Sequence, residues 1–240
     1  MESVAQRIAR IRAELDRAAR ACGRDPADVT LVAATKTRSE ATIREAIAAG
    51  ITVCGENRVQ ELTAHLAEGA YEGARVHFIG HLQTNKVKFV VGQVELIHSV
   101  SSLKLLEAIE GQAARLSVTQ DILLEINLAG ESSKSGFAPE EALSAARAAA
   151  ALPHVRLRGL MCIPPAARMP GENMSYFQKL ASLAVDIRQS LGDNIADIVY
   201  LSMGMSGDYQ DAVAAGATHI RLGTALFGPR PPMGQPEETL

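Results

Sequence analysis

Hydrophobic and polar positions alternate along this chain in two recurring modes. Short apolar runs of strand length are followed by stretches in which apolar residues return every three or four positions. The runs predict strands over 30–34, 51–54, 75–79, 95–99, 121–127, 157–163, 198–201 and 219–222. Several are nearly continuous (LVAA, ILLEI), as parallel strands covered on both faces require. At the start, Val4, Ile8, Ile11 and Leu15 stand at helical spacing among charges and predict an amphipathic helix over about 2–22. Ser39 is placed to cap a helix carrying Ile43, Ala46 and Ile47, which closes at Gly50. Pro139 suits a first helical position before the Ala-rich stretch to Leu152, and Pro153 stops it. Phe177, Leu180, Ala184, Ile187 and Leu191 line a further helix ending at Gly192. Strand then helix, about eight times over, predicts the α/β class and a closed (β/α)8 TIM-type barrel. The expected organisation is one domain over 1–240, with the barrel at about 29–228 and a polar, Pro-rich tail from 229 that frays.

Composition narrows the function. With 47% hydrophobic residues in 240, the chain can bury a full core. A net charge of -3 with 21% charged residues makes no case for nucleic acid or an anionic membrane as partner. No apolar run approaches the ~18–20 residues of a membrane span. The first segment does not read as a signal or transit peptide. Cys22, Cys54 and Cys162 are odd in number and form no CxxC, so they read as reduced, buried thiols of a cytoplasmic protein. His77, His81 and His98 lack metal-ligand spacing and read as core or rim histidines, with no metal expected.

A barrel carries its chemistry at the C-terminal ends of its strands. Those ends give Lys36, Gly55-Glu56-Asn57, Gly80-His81 and Ser99, then Asn127, Met161, the run 202–207 and Gly223-Thr224. Lys36 follows LVAAT, and small Ala34 beneath it leaves space for a flat ring. A lysine held at an apolar strand end can lose its proton and attack an aldehyde. The alternative is an ordinary loop lysine. LSMGMSGDYQDAVAAG, with Ser202, Met205 and Ser206, is a strand, a Gly-containing turn and a helix entry capped by Ser206. HIRLGTALFG repeats strand and turn. Two such turns after the last two strands make the usual phosphate cradle of a barrel, although structural glycine turns would look the same. Arg221 shares a strand face with Gly223, pointing either at a bound ring or into an ion pair with Glu125 or another acid. Lys134, in ESSKSGF, reads as a solvated loop residue.

Seven ordered motifs resemble one family: LVAATK, GENRVQE, HFIGHLQTNK, INLAGESSKSGF, LRGLMCIPP, LSMGMSGD and IRLGTALFG. The chain is similar to the pyridoxal phosphate homeostasis proteins, the YggS family, also called proline synthetase co-transcribed homologues. The resemblance implies a fold-type III barrel like the alanine racemase N-terminal domain, with pyridoxal 5′-phosphate (PLP) as a Schiff base on Lys36. It implies that Ser206, Gly223 and Thr224 hold the phosphate, that Arg221 faces the ring nitrogen and that Asn57 lies at the rim. Ser202 and Met205 belong to the same cofactor-binding set. It further implies a carrier or regulator of PLP supply and amino-acid balance, with no established catalytic reaction. A monomer, and PLP-dependent apoenzymes as receivers, are the matching expectations. Arg38 stands where many relatives have a second lysine, Cys54 replaces a common phenylalanine, and Gln210 replaces an acid. Racemisation would need a second base opposite the lysine, and Tyr71, Tyr176, Tyr200 and Tyr209 lie in no segment suited to it. A true PLP enzyme and a PLP-independent phosphosugar barrel are the competing readings.

Overall fold

The computed structural model describes residues 2–131, 134–192 and 198–229. The expected fraying beyond Pro229 lies outside the described residues. Helix α1 (Val4–Ala21) opens the chain, and Ser3 caps it by accepting from the Gln6 N–H. Then follow β1 (Thr30–Ala34), α2 (Glu40–Ala48), β2 (Val53–Glu56), α3 (Val59–Ala67) and β3 (Arg75–Phe78). A 3-10 segment, Thr84–Phe89, leads into β4 (Leu96–Val100), α4 (Leu103–Leu116) and β5 (Gln120–Glu125). The second half is α5 (Ala142–Ala150), β6 (Val155–Met161), α6 (Met174–Leu191), β7 (Tyr200–Ser202), α7 (Tyr209–Ala214), β8 (His219–Leu222) and α8 (Thr224–Phe227).

Among the described residues the strands close in order, β1 to β8, and β8 pairs in parallel with β1 through Leu31↔Ile220 and Val32↔Arg221. The predicted barrel is therefore the observed one. Helices and outward strand residues share one large core, in which Ile8, Ile43, Leu62, Phe78, Ile97 and Phe177 are at most 1% exposed. Side chains alternate across each strand, so a separate group, Val32, Ala34, Val53 and Ile79, fills the barrel interior below its mouth. No described helix is long and apolar enough to cross a membrane.

Three local readings need correction. The second strand runs Val53–Glu56 and not 51–54, and it continues past Cys54 because Gly55 and Glu56 stay extended to pair with His77 and Phe78. Glu56 tolerates that buried position because its Oε1 accepts from Thr35 (2.6 Å) and Tyr71 (2.8 Å) and meets His65 Nδ1 at 3.0 Å. Ser206 does not cap α7. Its Oγ instead accepts from the Ala225 N–H at 3.3 Å, and Asp208 takes the cap position. Cys54 and Cys162 are buried free thiols, whereas Cys22, at the end of α1, is exposed. Burial pushes the two inner thiols up to about 12, which leaves them unreactive near neutrality.

Candidate functional site

The mouth of the barrel holds a cavity of about 440 Å3 at the ends of β1, β8 and the segment after β7. Lys36, Asn57, Met205, Ser206, Arg221, Gly223 and Thr224, all expected from the sequence, line it together. Ala34 and Ile79 add apolar surface, and Ile163, Ala166 and Ala167 of the loop after β6 complete the wall. Arg38 is also there, buried, with its Nη2 donating to the Gly228 carbonyl at 2.9 Å. Arg38 thus ties β1's exit to the end of α8, a role its place in the motif does not announce.

Strand β1 ends at Ala34, and Lys36 sits two residues beyond it, half-buried. The backbone on both sides of the lysine is held. Thr35 is fully buried, and its N–H donates to the Gly55 carbonyl at 3.0 Å. Thr37 adopts a φ of 62°, a left-handed conformation that costs a β-branched residue energy. Its N–H is satisfied by Glu61 Oε2 at 3.0 Å, and Arg58 holds the other oxygen of that carboxylate at 3.1 Å.

Across the cavity, Gly204 has a φ of 89°, and an added Cβ would lie 2.6 Å from the Ala212 Cβ. Only glycine lets the chain turn there from β7 toward α7. The Met205 N–H donates to Asp208 Oδ1 at 2.7 Å, which closes the turn. Among the described residues, the N–H groups of Ser206, Gly207 and Thr224 reach no protein acceptor. Together with the Ser206 and Thr224 hydroxyls they form a set of donors without acceptors, which is the chemistry of an anion site.

Beneath the cavity runs a buried chain of polar groups. Arg221 Nη2 donates to the Cys162 carbonyl at 2.9 Å and Nη1 to Ser202 Oγ at 2.6 Å. Ser202 therefore lies under Arg221, fully buried, and is not part of the cavity lining. Ser202 Oγ, which accepts from Arg221, also lies in hydrogen-bonding distance of His98 Nδ1, 2.7 Å away. His98 Nε2 is hydrogen-bonded to His77 Nδ1 at 2.9 Å, and His77 Nε2 ends the chain without a partner among the described residues. Burial holds His77 and His98 well below the ordinary histidine range, so both are neutral. Of the histidines read from sequence, these two form the core relay, and His81 lies exposed at the rim, with Nδ1 3.0 Å from Ser135 Oγ. Glu125 makes no ion pair with Arg221. It is buried near it, with its proton affinity raised by burial and lowered by that guanidinium.

Residues 7–231 match the family described as alanine racemase, N-terminal domain. The pyridoxal phosphate homeostasis protein of Pseudomonas aeruginosa is 40% identical over 230 residues, covering 96% of this chain and 97% of its own. That of Escherichia coli K12 is 38% identical, covering 96% and 98%. PipY of Synechococcus elongatus, solved with PLP bound, superposes with a TM-score of 0.83 at 35% identity, covering 94% of this chain and 100% of PipY. The chain belongs to the pyridoxal phosphate homeostasis protein family, built on the alanine racemase N-terminal barrel.

Proposed function

We propose that this chain binds PLP in the cavity at the barrel mouth, holds it covalently through Lys36 Nζ, and serves intracellular PLP and amino-acid balance as a carrier. One observation carries the reading: Lys36 shares a single cavity with Ser206, Gly207 and Thr224, whose backbone donors lack acceptors. A relative of 35% identity has been solved with PLP bound. When bound, the cofactor supplies an aldehyde that condenses reversibly with a primary amine, and a dianionic phosphate.

The residues present suit that group. Ser206, Gly207, Gly223 and Thr224 would hold the phosphate, with Met205 forming the inner wall. Arg221, itself fixed by Ser202 and the Cys162 carbonyl, would donate to the ring nitrogen. A permanently protonated donor there keeps a proton off that nitrogen and weakens the ring's capacity to stabilise a carbanion. Asn57 and Ile79 close the opposite side. Carriage is favoured over turnover because, among the described residues, none of the four tyrosines lines this cavity, and Tyr71 and Tyr209 are committed to Glu56 and Glu14. PLP-dependent apoenzymes are the receivers, the protein acts as a monomer, and the cytoplasm is the compartment its three free cysteines suit.

The test is chemical. Borohydride reduction of the yellow holoprotein is expected to leave a pyridoxyl group on the peptide containing Lys36. A wild-type label found on other peptides overturns the assignment. Deuterium exchange at the α-carbon of added amino acids is expected to run no faster than with free PLP, and faster exchange would make the protein an enzyme.

A further inference from the structure

Beside the proposed cofactor cavity lies a second one of about 240 Å3, and Asn57, Ile79 and Ile163 line both. Its floor includes Glu125, at the end of β5, and Met161, at the end of β6. His81, Lys134 and Ser135 stand on its wall.

Glu125 is 7% exposed, and among the described residues no hydrogen bond reaches its carboxyl group. Asn57 Oδ1 is buried and likewise has no partner. Two residues whose acceptors lack donors, Glu125 and Asn57, therefore line one cavity. Buried acceptors are normally matched, and where the protein offers no donor a ligand can. The group that best serves a carboxylate and an amide oxygen together is a compact cation with several N–H bonds, and a primary ammonium carries three.

Other residues lining the cavity have the opposite character. Ser135 Oγ lies 3.0 Å from His81 Nδ1, and Lys134 Nζ lies 2.8 Å from Glu131 Oε1. These are donor-bearing groups, and the fold fixes where they stand. Asn127 Nδ2 donates to the Glu131 carbonyl at 2.9 Å, and Asn127 and Phe137 link the segment back to β5 through Asn127 N–Phe137 O (2.9 Å) and Phe137 N–Glu125 O (2.8 Å). These bonds hold Lys134 and Ser135 over the end of β5, where both line the cavity.

We propose that this second cavity binds a small free α-amino acid non-covalently, its ammonium on Glu125 and Asn57 and its carboxylate toward Ser135, His81 and Lys134. The inference rests on PLP occupying the larger cavity and adds to it a ligand class. An amine-bearing molecule held there lies directly beside the carrier's amine-reactive group, where it can lead cofactor exchange.

The experiment separates the two readings. Holoprotein is first reduced with borohydride, which fixes the cofactor and removes exchange, and the mass of the Lys36 peptide tests the cofactor assignment alone. The reduced protein is then titrated by calorimetry with L-alanine, propionate and ethylamine. Alanine is expected to bind saturably, and each single-ended probe at least about tenfold more weakly. Glu125→Gln, close in volume, is expected to weaken alanine by about tenfold or more. Ser135→Ala, remote from the core, is expected to weaken it several-fold and carries the test should the buried variant not fold. No alanine binding to the reduced wild type, equal affinity in both variants, or ethylamine binding as tightly as alanine overturns the proposal.

Discussion

Two corners of the same barrel mouth carry opposite deficits. At the ends of β7 and β8, Ser206, Gly207 and Thr224 present N–H groups that find no acceptor. At the ends of β2 and β5, Asn57 and Glu125 present oxygens that find no donor. The backbone makes the first corner, because tight glycine turns leave peptide N–H groups unpaired. Side chains make the second, because Asn57 just past β2 and Glu125 at the end of β5 each carry a side-chain acceptor that meets no donor among the described residues. The lesson is that charge sign within this mouth is set by position around the barrel: an anion belongs over β7 and β8, and a cation over β5.

The harshest way to break the comparison is to push the acceptor corner apart. A Cβ on Gly80 would lie 2.6 Å from the Asn57 Cα and closer still to its carbonyl oxygen. Backbone cannot yield there as a flexible side chain would. Gly80→Ala is expected to cost on the order of 4 kcal/mol, read from the urea midpoint. An unchanged midpoint would show that Asn57 is not held by this approach.

Acid attacks the floor that both corners share. His219 is buried, and burial lowers it to about 4. In the unfolded chain it protonates at about 6.5, so the unfolded state takes up the proton first as pH falls. Stability is therefore full above about 6.5 and declines down to about 4, by on the order of 3 kcal/mol from this residue. His77 and His98, lowered by burial, act with the same sign. His65, raised by its bond to Glu56, acts with the opposite sign and loses its contribution as pH rises. Denaturant titrations between pH 7 and 4 check the direction, and a flat profile would mean that these imidazoles are not neutral inside the barrel.

Removing one donor sharpens the comparison with the smallest perturbation. Thr224→Ala and Ser206→Ala are each expected to weaken PLP retention by roughly 1.5–3 kcal/mol, measured by equilibrium dialysis. Unchanged retention in both would move the anion away from β7 and β8.

Much of this was legible in the residues, and the exceptions share a cause. Continuous apolar runs and glycine punctuation announced the barrel, and the strands at Thr30–Ala34 and His219–Leu222 are found at the predicted bounds. Lys36 and the two glycine turns announced a cavity because parallel strands bring their ends to one rim. Glu56 was invisible as a strand residue, since its burial depends on Thr35, His65 and Tyr71 arriving from three other segments. Ser202 was read as lining the site because it belongs to the turn motif, but strand alternation points it inward to His98 and Arg221. The relay and the unpaired Glu125 carboxyl both turn on distances between strands, which periodicity along one strand does not encode.

The most direct measurement is a crystal structure of the protein grown with PLP. The account predicts continuous density from Lys36 Nζ to the cofactor, its phosphate within hydrogen-bonding distance of the Ser206, Gly207 and Thr224 N–H groups and its ring nitrogen facing Arg221. A phosphate seated beside Glu125 and Asn57, or a Lys36 side chain turned away from the ligand, would contradict it.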